Sequence, residues 1–97
     1  MDLLEQVFKV RGRVEIFNLP AAWHYVRIPT EQINLFSNQF GWGLVPISAT
    51  LGLTTWQTSL LPMGDKTYFI ALKASVRKKE GINVGDTIQL EYRLRGR

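Results

Sequence analysis

The sequence predicts a mostly-β fold, a small barrel of about six strands with two short helices in a single domain over residues 1–97. Seven Val, seven Ile and seven Thr residues favour strands, because their stiff branched side chains suit a pleated surface. Apolar and polar residues alternate in the first and last segments of the chain, which is typical of strands with one buried face. A chain of 97 residues fits one domain with one modest core.

The first predicted strand covers residues 6–17. Its apolar side chains are expected to face the core and its charged side chains the solvent. The inward set is Phe8, Val10, Val14 and Ile16, and the outward set is Lys9, Arg11, Arg13 and Glu15. Gly12 interrupts the apolar face, so we expect a bend or bulge where the strand curls around the core.

The second predicted strand covers residues 23–28 and stops at the proline that follows. Thr30 can then cap a short helix over residues 31–38. The spacing of Ile33 and Phe36 places both side chains on one face of this helix, directed at the core.

Residues 44–51 and 53–61 predict a hairpin that turns near Gly52. One face of its first strand carries Val45, Ile47, Ala49 and Leu51. On its second strand Trp56 and Leu60 share a face with Thr54 and Thr58. Pro46 has no N–H to donate, which disfavours a central position in the sheet for that residue.

The C-terminal third predicts a strand over residues 67–73, a short helix over 74–80 and a last strand over 87–94. Gly81 suits the left-handed position that ends a helix, and residues 83–86 suit a turn. The last strand alternates, with Ile88, Leu90, Tyr92 and Leu94 inward and Thr87, Gln89, Glu91 and Arg93 outward.

The charged residues lie at the two ends of the chain. Twelve Lys or Arg and eight Asp or Glu residues give a net charge of +4, yet none falls between Gln32 and Gly64. Edge strands are normally guarded by charge, so a neutral hairpin is expected to be central, closed into the barrel, or buried against a second chain. We therefore expect self-association, or contact with a partner, through residues 44–61. The same stretch contains no run of about 18 apolar residues, so no membrane contact is expected.

Catalytic and metal-binding patterns are not found in the sequence. The chain has no cysteine, which excludes disulfides, thiolate metal sites and a cysteine nucleophile. His24 is the only histidine, and general bases or metal sites usually need a second suitable group nearby. No phosphate loop or nucleophile elbow is present. We expect no enzyme, no cofactor and no metal, and cytoplasmic localisation, since no signal peptide is visible.

Basic residues form two candidate contact surfaces. One surrounds the second helix and consists of Lys73, Arg77, Lys78 and Lys79. The other lies on the last strand, with Arg93 and Arg95, and on the first strand, with Lys9, Arg11 and Arg13. If these strands are neighbours, one barrel face is strongly positive and could contact phosphates. The alternative is solvated strand edges, together with cations that favour the dipole at a helix C-terminus.

Trp23, Trp42 and Trp56 are large for so small a domain. They are candidates for an aromatic-lined pocket or a partner contact, and the alternative is that they belong to the core. Trp42 lies between Gly41 and Gly43, whose lack of side chains leaves it room to be exposed.

Three segments together carry a resemblance to a known family. They are the run from Trp23 to Pro29, FGWGLVPISATLGLTTWQTSLLP from Phe40 to Pro62, and YFIALKASVRKKEGINVGD from Tyr68 to Asp86. Their order and spacing resemble the bacterial and archaeal family DUF1905, over roughly Phe8 to Leu94. The resemblance implies a small split β-barrel, of the double-split type. The family has no established activity, so no functional residue is carried over.

A weaker resemblance lies in the C-terminal third, in IALK, VRK, GI and GD between Ile70 and Asp86. This order looks like the strand, short helix, turn and strand of AbrB-type swapped-hairpin DNA-binding regulators. Any small barrel could need these residues, so the similarity concerns fold more than DNA binding. The sequence as a whole favours a non-enzymatic binding or assembly module, and the alternative is a regulator-like domain that binds nucleic acid through a basic barrel face.

Overall fold

The computed structural model describes residues 5–17, 23–40, 43–64 and 67–95. In this part the chain forms seven strands and two helices, which confirms the predicted mostly-β class. In chain order they are β1 (Phe8–Arg13), β2 (Glu15–Ile16), β3 (His24–Arg27), α1 (Thr30–Phe40), β4 (Val45–Leu51), β5 (Thr54–Pro62), β6 (Tyr68–Ala71), α2 (Ala74–Glu80) and β7 (Thr87–Leu94).

The strands form one antiparallel sheet in the order β1-β7-β4-β5-β6-β3-β2. Because β1 and β2 are two parts of one bent segment, the sheet returns to its starting point and is nearly closed. This confirms the predicted barrel. The sheet has seven strands instead of about six because the first predicted strand is divided at Val14. The Val14 amide donates to Asp86 O at 2.8 Å, and Val14 O accepts from the Gly85 amide at 2.9 Å.

Gly12 lies where the barrel closes. A Cβ atom at this position would lie 2.7 Å from Cγ2 of Val26 on β3, a distance shorter than side-chain carbons tolerate. A glycine therefore lets β1 approach β3 closely at the seam. The β1–β7 register continues one-to-one through Gly12, so the predicted bulge is not at Gly12, and the strand breaks two residues later, at Val14.

The hydrophobic core fills the barrel and follows the predicted alternation along β4 and β7. On β4 every second side chain is buried, and so are Ile88, Leu90, Tyr92 and Leu94 on β7. Trp56 and Leu60 of β5 belong to the same core. The prediction for Ile16 is wrong, because this side chain is 42% exposed. It lies on β2, the last strand in the sheet order, after the break has interrupted the alternation.

The neutral hairpin, β4 and β5, lies in the middle of the sheet. β4 pairs with both β7 and β5, and β5 pairs with both β4 and β6, so neither strand is an edge. Pro46 is tolerated in β4 because it precedes the first β7 pair, Ile47 with Leu94, and its carbonyl accepts from the Arg95 amide at 2.9 Å. The central position of the hairpin explains its lack of charged residues without a second chain. Self-association through residues 44–61 stays a prediction.

Helix α1 is held against the barrel by Gln32 and Ile33. The side-chain Nε2 of Gln32 donates to Lys9 O on β1 at 2.7 Å, and Oε1 of the same side chain accepts from the Tyr92 hydroxyl on β7 at 2.8 Å. Ile33 is completely buried, as predicted. The helix begins at Thr30 itself and runs longer than predicted, and the side chain of Phe36 lies outside the described part of the chain.

Replacing Gln32 with alanine is expected to lower the free energy of unfolding by about 1–2 kcal/mol, because it removes a partner from the buried Tyr92 hydroxyl and from Lys9 O. Burial raises the pKa of Tyr92, so its hydroxyl remains a donor that needs an acceptor. Urea denaturation measures the difference. Asn34→Ala, on the exposed side of the same helix, is the matched control, and equal losses in both variants would contradict the proposed bridge.

Helix α2 lies where the sequence predicts it, over Ala74–Glu80. Gly81 ends it in the left-handed region with a φ of 65°, and its amide donates to Arg77 O. Val76 anchors the helix in the core. The Glu80 carboxylate accepts a hydrogen bond from Thr54 Oγ1 at 2.6 Å, which ties the last turn of α2 to the beginning of β5.

Candidate functional site

The basic residues of β1 and β7 lie on neighbouring strands, which is the condition for the basic barrel face considered from the sequence. The antiparallel register places Lys9 opposite Glu91 and Arg11 opposite Gln89, along a groove of about 380 Å³. Arg93 lies beyond the paired part of β1 and is opposite Ser48 of β4. A carboxylate therefore lies among the cations and Arg93 is separated from Arg11, so this face is less positive than predicted.

Arg95 is occupied by the protein itself. Its guanidinium donates from Nε to Ile47 O and from NH2 to Thr58 O, each at 2.9 Å, and from NH1 to Gln57 Oε1 at 3.3 Å. These bonds bridge β4 and β5 near the end of β7. Arg93, two residues earlier, is exposed. The same alternating pattern thus contains one solvent-facing arginine and one that holds strands together.

The four basic residues around α2 form a second group, here termed the α2 cationic surface. Lys73, Lys78 and Lys79 are exposed, and Arg77 is half-buried. Within the described ranges the ion pair between Arg27 and Glu15 is the only one, so no carboxylate pairs with any of the four cations. Three of them occupy the last turn of α2, where they also favour the helix dipole, as the alternative interpretation holds.

Arg77 is fixed by two hydrogen bonds. Its Nε donates to Leu72 O at 3.0 Å, and its NH1 lies 3.4 Å from His24 Nε2, which accepts if the ring carries its proton on Nδ1. NH2 makes no hydrogen bond to any residue of the described chain. One nitrogen of an oriented guanidinium therefore remains for an outside ligand.

A cleft of about 300 Å³ adjoins Arg77 and is termed the Trp23–Arg77 cleft. It is lined by Trp23, His24, Ala71, Leu72, Lys73, Ala74 and Arg77. The pairing of Tyr25 with Ala71 creates it, because the same register continued outward places Trp23 opposite Lys73. The bond from the Leu72 amide to His24 O at 2.8 Å confirms that continuation. This juxtaposition was not predicted from the sequence, since a single sequence does not give strand register.

The tryptophans predicted as aromatic contacts lie in different surroundings. Trp23 is 49% exposed at the cleft, which leaves it accessible to a ligand. Trp56 is only 6% exposed and belongs to the core, as its alternative interpretation expected, so it is not accessible for contact. Trp42 lies outside the described residues.

A second aromatic group, which was not predicted from the sequence, packs across β3 and β6. Phe17 stacks on Tyr25 with ring centres 4.2 Å apart, and Phe69 meets both rings edge-on. Arg27 lies 6.0 Å from the Tyr25 ring centre and 3.1 Å from the Glu15 carboxylate. Burial lowers the pKa of Arg27, but the hydrogen bonds and charges of Glu15 and Tyr25 together raise it by more, so the pKa of Arg27 is raised. These contacts are structural, because Tyr25 and Phe69 are buried.

Titratable groups do not assemble into a metal centre in the ranges that the structure describes. No three His, Cys, Asp or Glu side chains there lie close enough together to hold an ion. Burial raises the pKa of Tyr68, whose hydroxyl donates to Gly43 O at 3.0 Å. Neither described helix is long and apolar enough to cross a membrane. The absence of enzymatic activity and of a cofactor stays a prediction.

Comparison with known proteins gives a family but no activity. No curated protein matches the chain. The family described as a domain of unknown function, DUF1905, matches residues 6–91, which extend from just before β1 into β7. This range includes β1 to β6, both helices and the first five residues of β7. The resemblance seen in the sequence is thereby confirmed, and the chain belongs to the DUF1905 family.

Proposed function

We propose that this domain is a non-enzymatic binding module and that its ligand is nucleic acid, bound through the α2 cationic surface. The observation that carries the proposal is the grouping of Lys73, Arg77, Lys78 and Lys79 with no carboxylate partner among the described residues. Lysine and arginine side chains that neutralise phosphates release condensed counterions, and this release supplies most of the affinity of such contacts.

The two other groups of basic residues support the choice of this surface. Glu91 lies opposite Lys9 on the β1–β7 face, so that face attracts a polyanion less strongly. The guanidinium of Arg95 makes hydrogen bonds to Ile47, Gln57 and Thr58 and is directed at the protein. In the remaining group, the α2 cationic surface, the three lysines are exposed, and only Arg77 makes hydrogen bonds to the barrel, with NH2 left over.

The α2 cationic surface also has a rigid base. Val76 is buried, Gly81 ends the helix with a hydrogen-bonded cap, and Glu80 is tied to Thr54 on β5. Because Glu80 accepts that hydrogen bond, the carboxylate next to Lys79 in the sequence is held at the hairpin. A binding surface on a fixed element loses less conformational entropy when a ligand binds.

The double variant Lys78→Glu with Lys79→Glu tests the proposal. We expect the wild-type domain to bind labelled DNA and RNA oligonucleotides at ~50 mM salt, with affinity that falls steeply as salt is added. The variant should bind about tenfold or more weakly, and its plot of log affinity against log salt should be flatter by about 1.4–1.8, because two phosphate contacts are lost. Fluorescence anisotropy measures both quantities.

The matched control is Lys9→Glu with Arg11→Glu, which changes the net charge equally on the β1–β7 face. Both pairs of side chains are exposed, so neither variant should unfold the domain. The control should stay within about threefold of wild type if the contact is local, since long-range charge effects are screened beyond about 10 Å at 0.1 M salt. Equal losses in both variants, or no binding by wild type at low salt, would refute the proposal.

A further inference from the structure

We infer that the Trp23–Arg77 cleft takes one unpaired nucleotide, with its base against Trp23 and its phosphate at Arg77, so that the domain prefers single-stranded nucleic acid. The inference rests on the proposed function and names the form of its ligand. It follows from three features of the cleft: an exposed ring on a fixed backbone, an oriented guanidinium, and a small apolar floor.

The exposed ring is that of Trp23. Nearly half of the residue is accessible to solvent, although a tryptophan gains most by burial. Its backbone is fixed, because Trp23 O accepts from the Phe17 amide at 2.9 Å and the next carbonyl, of His24, accepts from the Leu72 amide. An aromatic side chain in this situation is a platform on which any base can stack.

The oriented guanidinium is that of Arg77. Bonds from Nε and NH1 to Leu72 O and His24 Nε2 restrict the side chain before any ligand arrives. A planar guanidinium that is already positioned loses little freedom when it binds a phosphate oxygen. Lys73 lies on the rim of the same cleft, opposite Trp23 in the strand register, and adds a second positive charge.

The size and lining of the cleft select the ligand. Its volume of about 300 Å³ is at the lower end of small-molecule sites, and Ala71, Leu72 and Ala74 make its floor apolar. One flat ring with its sugar fits this space better than a base pair does. A base inside a duplex would have to leave the stack to enter, which costs a few kcal/mol, and a single-stranded base avoids most of that cost.

A peptide that ends in an aromatic residue is an alternative ligand. Its ring could stack on Trp23 and its terminal carboxylate could bind Arg77. The α2 cationic surface favours the nucleotide, because Lys78 and Lys79 add two further positive charges in the same helical turn as Arg77. A single carboxylate would leave those two charges unused, whereas a polymer with one phosphate per nucleotide can contact them in turn.

The first test compares single-stranded and duplex oligonucleotides of one sequence, with wild type, Trp23→Ala and Trp23→Phe. Wild type should bind the single strand more tightly. Trp23→Ala should lose about 5- to 150-fold in affinity for the single strand, the range for one lost base stack, and little for the duplex. Trp23→Phe keeps an aromatic face and should recover most of the loss. Circular dichroism and thermal unfolding check that each variant is folded.

The second test places the ligand in the cleft by titrating uridine monophosphate and following NMR shifts. The Trp23 indole N–H and the methyl groups of Ala71 and Leu72 should shift in wild type. In Trp23→Ala, which lacks the indole, the same methyl groups should not shift. If oligonucleotides bind but these signals and the Trp23 variants are unchanged, the cleft inference fails while the proposed function stands. If the mononucleotide shifts the cleft but no oligonucleotide binds, the proposed function fails. Shifts by an aromatic C-terminal peptide, with none by the mononucleotide, would overturn the cleft inference; the proposed function would then depend on oligonucleotide binding alone.

Discussion

Replacing Trp56 with alanine is expected to lower the free energy of unfolding by about 3–5 kcal/mol, the range for a large aromatic removed from a core. Trp56 is 6% exposed and lies opposite Ala49 in the hairpin, where the small neighbour leaves room for its ring. Truncation leaves a cavity in the barrel core beside β4 and β5, and the paired strands cannot move inward to fill it. The total free energy of unfolding of a natural domain is about 5–15 kcal/mol, so the variant should be only marginally stable.

Trp23→Ala is the matched control for this prediction, because it removes the same side chain from an exposed position. Its cost should stay below about 1 kcal/mol, as for most surface substitutions. Urea denaturation followed by circular dichroism gives both values. If Trp56→Ala does not fold, Trp56→Phe supplies the comparison with a smaller cavity. Similar losses for Trp23→Ala and the Trp56 variant would contradict the assignment of one ring to the core and the other to the surface.

Arg95→Gln is expected to destabilise the domain by about 1.5–3 kcal/mol, the range for hydrogen bonds that involve a charged group. The guanidinium reaches three acceptors on two strands, and two of them are backbone carbonyls, of Ile47 and Thr58. Glutamine keeps a polar end but is too short and has too few donors to serve all three. The three acceptors lose their charged donor together.

Arg93→Gln tests whether that loss comes from the bridge or only from the removed charge. It takes one positive charge from the same strand, where the side chain is exposed, and should change stability by no more than about 0.5 kcal/mol. Thermal unfolding of both variants at two salt concentrations makes the comparison. A loss for Arg93→Gln as large as that for Arg95→Gln, disappearing at high salt, would point to general electrostatics instead.

Sequence patterns predicted those strands that have one face in the barrel and the other in water. On β4 and β7 the alternation of residues and the observed burial agree at every inward position. The pattern fails on β3 and β6, where neighbouring residues such as Tyr25 and Val26 are both buried. There Phe17, Tyr25 and Phe69 pack together on the outer face of the sheet and bury it. A strand that is buried on both faces does not show the alternation of apolar and polar residues.

The candidate site was less predictable than the fold, because its residues come together only through strand register. The basic residues of α2 are visible in the sequence, but Trp23 is far from them along the chain and becomes their neighbour through the pairing of β3 with β6. The register also separates Arg93 from Arg11 and brings Glu91 beside Lys9. The residue types therefore predicted basic contact surfaces, whereas the strand register determines which basic residues lie close enough to bind one ligand.

The position of β7 in the sheet has a consequence for synthesis on the ribosome. β7 pairs with β1 on one side and β4 on the other, so the barrel cannot close until the last strand has been translated. Until then β4 presents an open edge that carries no charged side chain between residues 45 and 51. Uncharged open edges are templates for pairing with other chains. The domain is therefore most exposed to misassembly in the interval before β7 arrives, and the arrival of that strand ends the risk.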